Sequence, residues 1–325
     1  MLNGAIVGLG RWGLRLAESV QGSDQIRFVR GVTRNPADRQ DFARRTGIAL
    51  TASYAEALRD PGIDAVVLAT PHSQHHLEIV EAARAGKHVF VEKPFTLTRA
   101  SAEAAVEACR AAKVTLGVGF NRRHAPAFVE LKRRIAAGEI GELLHIEGQA
   151  SGGSGLQLKA GNWRAMRAES PGGAMTSRGV HALDAMIQIA GPVASVQAIS
   201  ERRALAVEID DTTSMLLRFA GGVTGYLGTL HTTGEFWRVH AFGTKGWLEM
   251  RGDTELLARG MGAESSPERI AFAPLDRERA ELEAFAAAVA AGQKFTVPPT
   301  EIVNGVAVLE ALMASAAGGG AVRVA

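Results

Sequence analysis

Residues 5–13 read Ala5-Ile6-Val7-Gly8-Leu9-Gly10-Arg11-Trp12-Gly13, an apolar run followed by three glycines spaced as GxGxxG. A segment with the apolar period of a helix, residues 14–20, comes next. Glycines in this pattern allow a tight turn from a strand into a helix, and they let backbone amides approach a pyrophosphate at the helix N-terminus. The stretch therefore predicts a strand, turn and helix that bind a dinucleotide.

The rest of the first third repeats the alternation of strand and helix. Further apolar runs lie at residues 28–32, 65–69, 88–91 and 114–118, and helix-length segments lie at 39–46, 75–85 and 102–112. Continuous apolar strands separated by helices are typical of a parallel sheet that is covered on both faces. We therefore expect a doubly wound, dinucleotide-binding α/β domain over residues 1–121.

The pattern changes after residue 121, which predicts a second, α+β domain over residues 122–325. Its strands are longer, alternate polar and apolar residues, and pair with a Gly221-Gly222 hairpin signal, as expected for an open, mostly antiparallel sheet. The predicted strands are 143–149, 193–202, 212–219, 224–232 and 238–242, and the predicted helices are 127–137, 175–189, 277–291 and 303–316.

Composition excludes several classes of protein. The 325 residues contain 36 Lys and Arg against 34 Asp and Glu, a net charge of +2, with no run of five like charges, so we expect no nucleic-acid partner. Cys109 is the single cysteine, which excludes an internal disulfide; a catalytic thiol and a small buried residue are the two alternatives. Uninterrupted apolar runs are too short for a membrane span, and the N-terminus lacks a signal-peptide pattern, so we expect a cytoplasmic protein.

The residues at the end of the second predicted strand indicate whether the cofactor is NAD or NADP. An acidic residue there would bind the ribose 2′-hydroxyl of NAD, but the chain reads Val32-Thr33-Arg34-Asn35. Thr33 and Arg34 suit a 2′-phosphate, which favours NADP over NAD. The alternative for Arg34 is a solvated loop charge.

Two motifs carry a more specific resemblance. One is Thr70-Pro71-His72-Ser73-Gln74-His75, and the other is Glu92-Lys93-Pro94 at the end of a predicted strand. Together with the downstream Gly119-Phe120-Asn121-Arg122-Arg123 and Gly179-Val180-His181-Ala182-Leu183-Asp184, they make the chain resemble the Gfo/Idh/MocA family over nearly its whole length. The resemblance implies an NAD(P)-dependent oxidoreductase of sugars, polyols or ring alcohols.

The resemblance also implies roles for individual residues. Lys93 would lie near the nicotinamide and the reacting oxygen, and His181 would be the general acid and base. The expected cofactor-binding residues are Gly8, Gly10, Arg11, Trp12, Gly13, Thr33, Arg34, Thr70, Pro71, His72, His75, Glu92, Lys93 and Asn121. Lysine and histidine suit these roles because an ammonium neutralises an alkoxide and an imidazole exchanges protons near neutral pH. Pro94 is a candidate cis-proline.

The substrate pocket is where the chain departs from inositol dehydrogenases. Ser177, His181 and Asp184 have i, i+4 and i+7 spacing and are predicted to share one helix face, where Asp184 would orient the histidine. Inositol-type members carry Asp at the position of Ser177, and Arg178 follows it here. A hydroxyl and a guanidinium predict a carboxylate-bearing substrate, such as a sugar acid or a carboxylated ring diol. A salt bridge within the protein is the alternative for Arg178.

Arg122, Trp163 and Arg164 complete the expected substrate-binding set, with packing of the loop as the alternative for Trp163. His72, His75 and His76 lack a carboxylate at ligand spacing, so we assign no metal. We expect a homodimer or homotetramer, formed through the C-terminal sheet as in the family. The alternatives to a dehydrogenase are a lyase or hydrolase that uses bound NAD for transient oxidation, and a non-catalytic nucleotide-binding regulator.

Overall fold

The computed structural model of the chain describes residues 1–262 and 266–324, which form two compact units. The first unit comprises Met1–Asn121 and Asp276–Ile302, and the second comprises Arg122–Leu275 and Val303–Ala325. The predicted boundary at residue 121 coincides with the edge of the first unit. The predicted range 122–325 needs correction, because residues 276–302 return to the first unit.

The first unit contains a six-stranded parallel sheet in the order β3-β2-β1-β4-β5-β6. Its strands are β1 (Leu2–Val7), β2 (Ile26–Val32), β3 (Ala49–Thr51), β4 (Ala65–Leu68), β5 (His88–Val91) and β6 (Leu116–Val118). The connecting helices are α1 (Arg11–Ser19), α2 (Gln40–Thr46), α3 (Tyr54–Arg59), α4 (His75–Arg84) and α5 (Arg99–Ala111). The strand order is that of dinucleotide-binding domains, whose ligands bind at the carboxyl ends of the strands.

The central strands are apolar on both sides because helices cover both faces of this sheet. All four residues of β4 are buried, and so are Val89, Phe90 and Val91 of β5. The short elements β3 and α3 were not predicted from the sequence, because neither has a long enough apolar pattern.

Sheet order in the second unit is β14-β13-β12-β11-β7-β10-β9-β8-β15 over nine strands. The strands are β7 (Leu143–Ser151), β8 (Val193–Glu201), β9 (Thr212–Phe219), β10 (Thr224–Leu230), β11 (Phe236–Gly243), β12 (Gly246–Arg251), β13 (Glu255–Gly260), β14 (Glu268–Ala271) and β15 (Val322–Arg323). The pairing is antiparallel throughout except between β7 and β10. This confirms the predicted mostly antiparallel sheet, and Gly222 makes the predicted β9–β10 turn with a φ of 90°.

The second unit also contains α6 (Pro126–Ala136) and α7 (Val180–Ala190). One face of its sheet is buried, as shown by Met215, Leu227, Val239 and Leu248. The opposite face carries exposed apolar side chains, including Ile199 and Leu216 at 67% and 59% exposure.

Two late helices complete the fold. Helix α8 (Arg277–Ala290) packs on the first unit, where Phe285 meets Phe90 edge to face at 5.5 Å. Helix α9 (Pro299–Gly318) is long and apolar enough to cross a membrane by length and composition alone. It buries Val308, Leu312 and Ser315 completely, and the Ser315 hydroxyl accepts a hydrogen bond from the Ala198 amide of β8. Its apolar character therefore belongs to a core helix.

Candidate active site

The glycine turn between β1 and α1 has space that only glycines provide. Gly8 has a φ of +92°, and a Cβ there would lie 2.7 Å from the Ala69 carbonyl oxygen. A Cβ at Gly13 would lie 2.0 Å from the Gly8 carbonyl oxygen, whereas Gly10 faces open space. Gly8 and Gly13 therefore allow the close backbone approach that the turn requires. At Gly10 the missing side chain leaves the outer surface of the turn open.

The N-terminus of α1 is suited to an anion. Gly10 supplies no side-chain cap, and no acidic residue occupies the first turn. The first amides of a helix lack partners within the helix, and its dipole favours negative charge there. These residues fit the pyrophosphate of a dinucleotide.

The carboxyl end of β2 presents cations and no carboxylate. The Thr33 amide donates to the Thr51 carbonyl at 3.0 Å, which fixes the strand end, and Arg34 is exposed. Arg39 donates from Nε to the carbonyl of Leu9 in the glycine turn at 2.9 Å. Sequence reasoning missed Arg39, which links this end of the sheet to the glycine turn.

The Glu92-Lys93-Pro94 segment begins where β5 ends, and the Lys93–Pro94 peptide bond is cis. Glu92 is 5% exposed, and its Oε2 accepts from the Lys93 amide at 3.3 Å. A Cβ at Gly119 would lie 2.7 Å from Glu92 Oε1, so the glycine makes room for this carboxyl group.

The buried side chain of His75 contacts the backbone of this segment. Its ring is fully buried, with Nδ1 3.0 Å from the Pro94 carbonyl oxygen and Nε2 3.2 Å from that of Thr70. His72 is 7% exposed and meets the His75 ring edge to face at 5.8 Å. A ring without exposed surface that lies against backbone carbonyls positions the turn. Direct binding of the cofactor by His75 stays a prediction.

Two other expected cofactor residues have partners within the first unit. The Thr70 hydroxyl donates to Glu78 Oε2 at 2.5 Å. Asn121 is 4% exposed, and its amide donates to Glu278 Oε1 at 2.8 Å. Asn121 therefore fixes the N-terminal end of α8 against the end of β6.

Buried carboxyl groups surround the Lys93 turn. Burial raises the pKa of Glu92, while the Lys93 ammonium lowers it. Burial also raises the pKa of Glu281 well above its usual value, and the carboxylates of Glu92 and Glu278 add to that effect. No local pattern pointed to Glu281, which lies on α8, far along the chain from Glu92.

In the second unit, His181 lies in the first turn of α7 and is half-buried. Its ring meets Trp237 of β11 edge to face at 6.4 Å. The Arg122 guanidinium lies 4.0 Å from the centre of the same indole, and its Nη1 donates to Asp253 Oδ1 at 2.6 Å. Two side chains from separate elements, His181 and Arg122, therefore contact Trp237, which the sequence analysis did not identify.

The predicted shared helix face of Ser177, His181 and Asp184 needs correction. Residues Met175–Gly179 form a π-helical turn that precedes α7. Such a turn is wider than an α-helical turn, so Ser177 is shifted out of α-helical register with His181. A Cβ at Gly179 would lie 2.2 Å from the Met175 sulfur, so this turn depends on a glycine.

Asp184 and Arg178 form ion pairs within the protein. Both Asp184 carboxylate oxygens accept from Arg123, at 2.8 and 2.5 Å, and form a buried ion pair. The orientation of His181 by Asp184 stays a prediction. Arg178 pairs with Glu235 and donates to the Ser151 carbonyl at 3.0 Å. Of the two alternatives for Arg178, the structure contains the internal salt bridge.

The expected loop residues Trp163 and Arg164 lie together. The Arg164 guanidinium is 4.0 Å from the centre of the Trp163 ring, and the Arg164 amide donates to the Asn162 side chain at 3.0 Å. This stacking orders a short helical turn, Trp163–Ala165. Cys109 is 2% exposed, and burial raises the pKa of its thiol to about 12, which identifies it as a buried core residue.

Comparisons with known proteins define the class. Residues 2–120 match the oxidoreductase family with an NAD-binding Rossmann fold, and residues 128–249 match the Gfo/Idh/MocA C-terminal domain. The chain belongs to the Gfo/Idh/MocA family of oxidoreductases, as the sequence motifs predicted.

Individual relatives and a solved structure support this assignment. The chain is 30% identical to 1,5-anhydro-D-fructose reductase from Ensifer adhaerens over 236 residues, which cover 69% of the chain and 70% of the relative. It is 42% identical to scyllo-inositol 2-dehydrogenase (NAD(+)) from Bacillus subtilis over 149 residues, 44% of the chain, and spans 43% of that relative's length. A crystal structure of an oxidoreductase from Desulfitobacterium hafniense superposes with a TM-score of 0.93 at 28% identity, covering 99% of this chain and 97% of the other.

Proposed function

We propose that the chain is an NAD(P)-dependent dehydrogenase that interconverts a secondary alcohol and a ketone of a sugar or polyol. The observation that carries the proposal lies within the first unit. A glycine turn suited to a pyrophosphate and a lysine held by a buried turn lie at the carboxyl ends of strands of one parallel sheet. Ligands of such sheets bind at these ends.

The chemistry requires removal of a proton from the substrate hydroxyl as the carbon is oxidised. Bound NAD(P) supplies the hydride acceptor. We assign Lys93 to neutralise the developing alkoxide, since an ammonium stabilises negative charge on oxygen. We assign His181 to accept the hydroxyl proton and to return it in the reverse direction. The Trp237 contact holds the His181 ring from one side, which supports a fixed orientation.

We propose NADP as the preferred cofactor. Arg34 is an exposed cation at the end of β2, and Thr33 replaces the acidic residue that would bind a ribose 2′-hydroxyl. Arg39 adds a second guanidinium at the glycine turn. Two guanidinium groups favour a 2′-phosphate through charge-assisted hydrogen bonds.

For the substrate, the pairing of Arg178 with Glu235 favours neutral sugars and polyols over acids. A substrate carboxylate would have to displace Glu235 from the guanidinium, which costs an existing charge pair. Ser177 and Arg178 had predicted a sugar acid or a carboxylated ring diol. A substrate screen should therefore include such acids beside the neutral sugars and polyols.

We further propose that the protein forms a homodimer or homotetramer through the open face of the nine-stranded sheet. Ile199, Leu216 and Phe236 lie on that face at 47–67% exposure, and the face also carries Tyr226 and Trp247. Contiguous exposed apolar side chains are typical of protein interfaces. Light scattering of the purified protein measures the oligomer, and Leu216→Asp is expected to reduce it. A cytoplasmic location remains a prediction.

A substrate screen read by absorbance at 340 nm tests the proposed function. Dialysed protein with added NADP is expected to turn over neutral sugars or polyols, and Lys93→Ala and His181→Ala are each expected to lower kcat by about 10²–10⁴. Arg178→Ala is expected to leave the preference between acids and neutral polyols unchanged. Tightly bound cofactor without net turnover of added NADP would support the lyase or hydrolase alternative, and full activity of both variants would overturn the assigned roles.

A further inference from the structure

The first unit contains three acidic side chains with almost no solvent exposure near the Lys93 turn. Glu92, Glu278 and Glu281 are 5%, 6% and 1% exposed. Glu278 is fully compensated, because Oε2 accepts from Arg15 at 2.9 Å and Oε1 accepts from the Asn121 amide at 2.8 Å. Its negative charge therefore has a cation and a neutral donor, as a buried carboxylate requires.

Glu92 and Glu281 lie on segments that pack together, because Phe285, one turn along α8 from Glu281, meets Phe90, two residues before Glu92, at 5.5 Å. These two carboxyl groups are less fully compensated than Glu278. Among residues 1–262 and 266–324, Oε1 of Glu92 and both side-chain oxygens of Glu281 have no hydrogen-bond partner. Two ionised carboxylates in one dry region destabilise each other, so such a pair retains a proton. Over the same residues no group of three His, Cys, Asp or Glu side chains is arranged to bind a metal ion.

The charges that face this pair come from four segments. They are Lys93 after β5, Trp12 and Arg15 on α1, Asn121 after β6, and Arg277 and Glu278 on α8. Lys93 and Arg277 favour ionisation of Glu281, whereas Glu92 and Glu278 oppose it. Burial is the largest influence on both Glu92 and Glu281, and it raises the pKa of each.

We propose that Glu92 and Glu281 hold one proton between them in the free protein and release it when the cationic, oxidised nicotinamide cofactor binds. The inference rests on the proposed function, since it takes the cofactor to bind at the carboxyl end of the parallel sheet. A positive charge added near Lys93 stabilises a second carboxylate, so an O–H bond of the pair breaks and the proton passes to the solvent. The neutral, reduced nicotinamide adds no such charge, so the pair keeps its proton.

Calorimetry measures this linkage without any turnover. Titrations of NADP⁺ and of NADPH into the protein, each in two buffers with different ionisation enthalpies, give the number of protons released on binding. We expect NADP⁺ to release a fraction of a proton, up to one, at neutral pH, and NADPH to release markedly less. Glu281→Gln, which keeps the size of the side chain and cannot ionise, is expected to abolish the difference.

The matched control is Glu283→Gln on the same helix. Glu283 accepts from Arg279 and from the Ser23 hydroxyl, so it has partners that Glu281 lacks. This variant is expected to retain the difference between the two cofactor forms. A difference that survives Glu281→Gln, or that the wild-type protein does not show, would overturn the inference.

Infrared spectroscopy of the cofactor-free protein gives a second readout. A protonated carboxylic acid has a carbonyl stretch that a carboxylate and a glutamine lack. The difference spectrum between wild type and Glu281→Gln at neutral pH is expected to contain that band, and its absence would contradict a stored proton. Binding of both cofactor forms without proton release would defeat the inference alone, whereas failure of either form to bind would defeat the proposed function and the inference with it.

Discussion

Arg123 donates to both carboxylate oxygens of Asp184, at 2.8 and 2.5 Å, and each side chain is only 6% exposed. The pair joins the short helical turn after β6 to α7, the helix that carries His181. A buried, two-pronged ion pair constrains both distance and orientation. The finding gives Asp184 a structural role in fixing the helix.

Breaking this pair is expected to destabilise the protein. Arg123→Ala leaves the Asp184 carboxylate buried without its cation, so the free energy of unfolding is expected to fall by about 3–5 kcal/mol. Denaturant unfolding measures the change. Arg133→Ala is the control, because Arg133 is 62% exposed in its pair with Glu130 and its loss is expected to have a much smaller effect. Equal losses in the two variants would contradict the structural role.

The affinities for NADP and NAD are expected to distinguish the role of Arg34 from that of Arg39. Arg34→Ala is expected to weaken NADP binding by about 1–3 kcal/mol and to leave NAD binding nearly unchanged, because only NADP has the 2′-phosphate. Arg39→Ala is expected to weaken both cofactors, since Arg39 also holds the Leu9 carbonyl of the glycine turn. Calorimetry distinguishes the two patterns, and tighter binding of NAD than of NADP by the wild type would defeat the proposed preference.

Acid stability should depend on His231. The side chain is 4% exposed, and burial, assisted by the nearby Arg178 cation, lowers its pKa to about 4. Between pH 6.5 and 4 the unfolded chain binds a proton at this histidine that the folded chain excludes. Stability from this source is therefore complete above pH 6.5 and is lost as the pH falls toward 4, by on the order of 3 kcal/mol.

His231→Gln is expected to flatten that part of the stability profile, measured as the unfolding free energy at successive pH values. His76→Gln, on the half-exposed surface of α4, is the control and is expected to follow the wild type. An unchanged profile for His231→Gln would show that folding does not lower the pKa of this histidine.

The single thiol should be inert in the native protein. Cys109 is 2% exposed and its pKa is raised to about 12, so the reactive thiolate is scarce and inaccessible. A disulfide reagent such as Ellman's reagent is expected to label it only after denaturation. Rapid labelling of the native protein, accompanied by loss of activity, would instead implicate the thiol in function.

Local sequence patterns were sufficient to predict much of the fold. The glycine turn, the continuous apolar strands and the motif around Glu92-Lys93-Pro94 each depend on residues close together in sequence, and they predicted the first sheet and its family correctly. Strands β12, β13 and β14 were missed because their short runs of mixed polarity resemble loops until neighbouring strands supply partners.

The chain by itself therefore determined the order of elements, the two-domain plan and the glycine turn between β1 and α1, because these follow from backbone requirements and apolar periodicity. Only tertiary structure decided which charged groups meet. It brought Glu281 of α8 to Glu92, paired Arg178 with Glu235 and Asp184 with Arg123, and placed the π-helical turn that moves Ser177 out of register with His181. Pairing of charges depends on distances between segments that are remote in sequence, and periodicity within one segment carries no information about those distances.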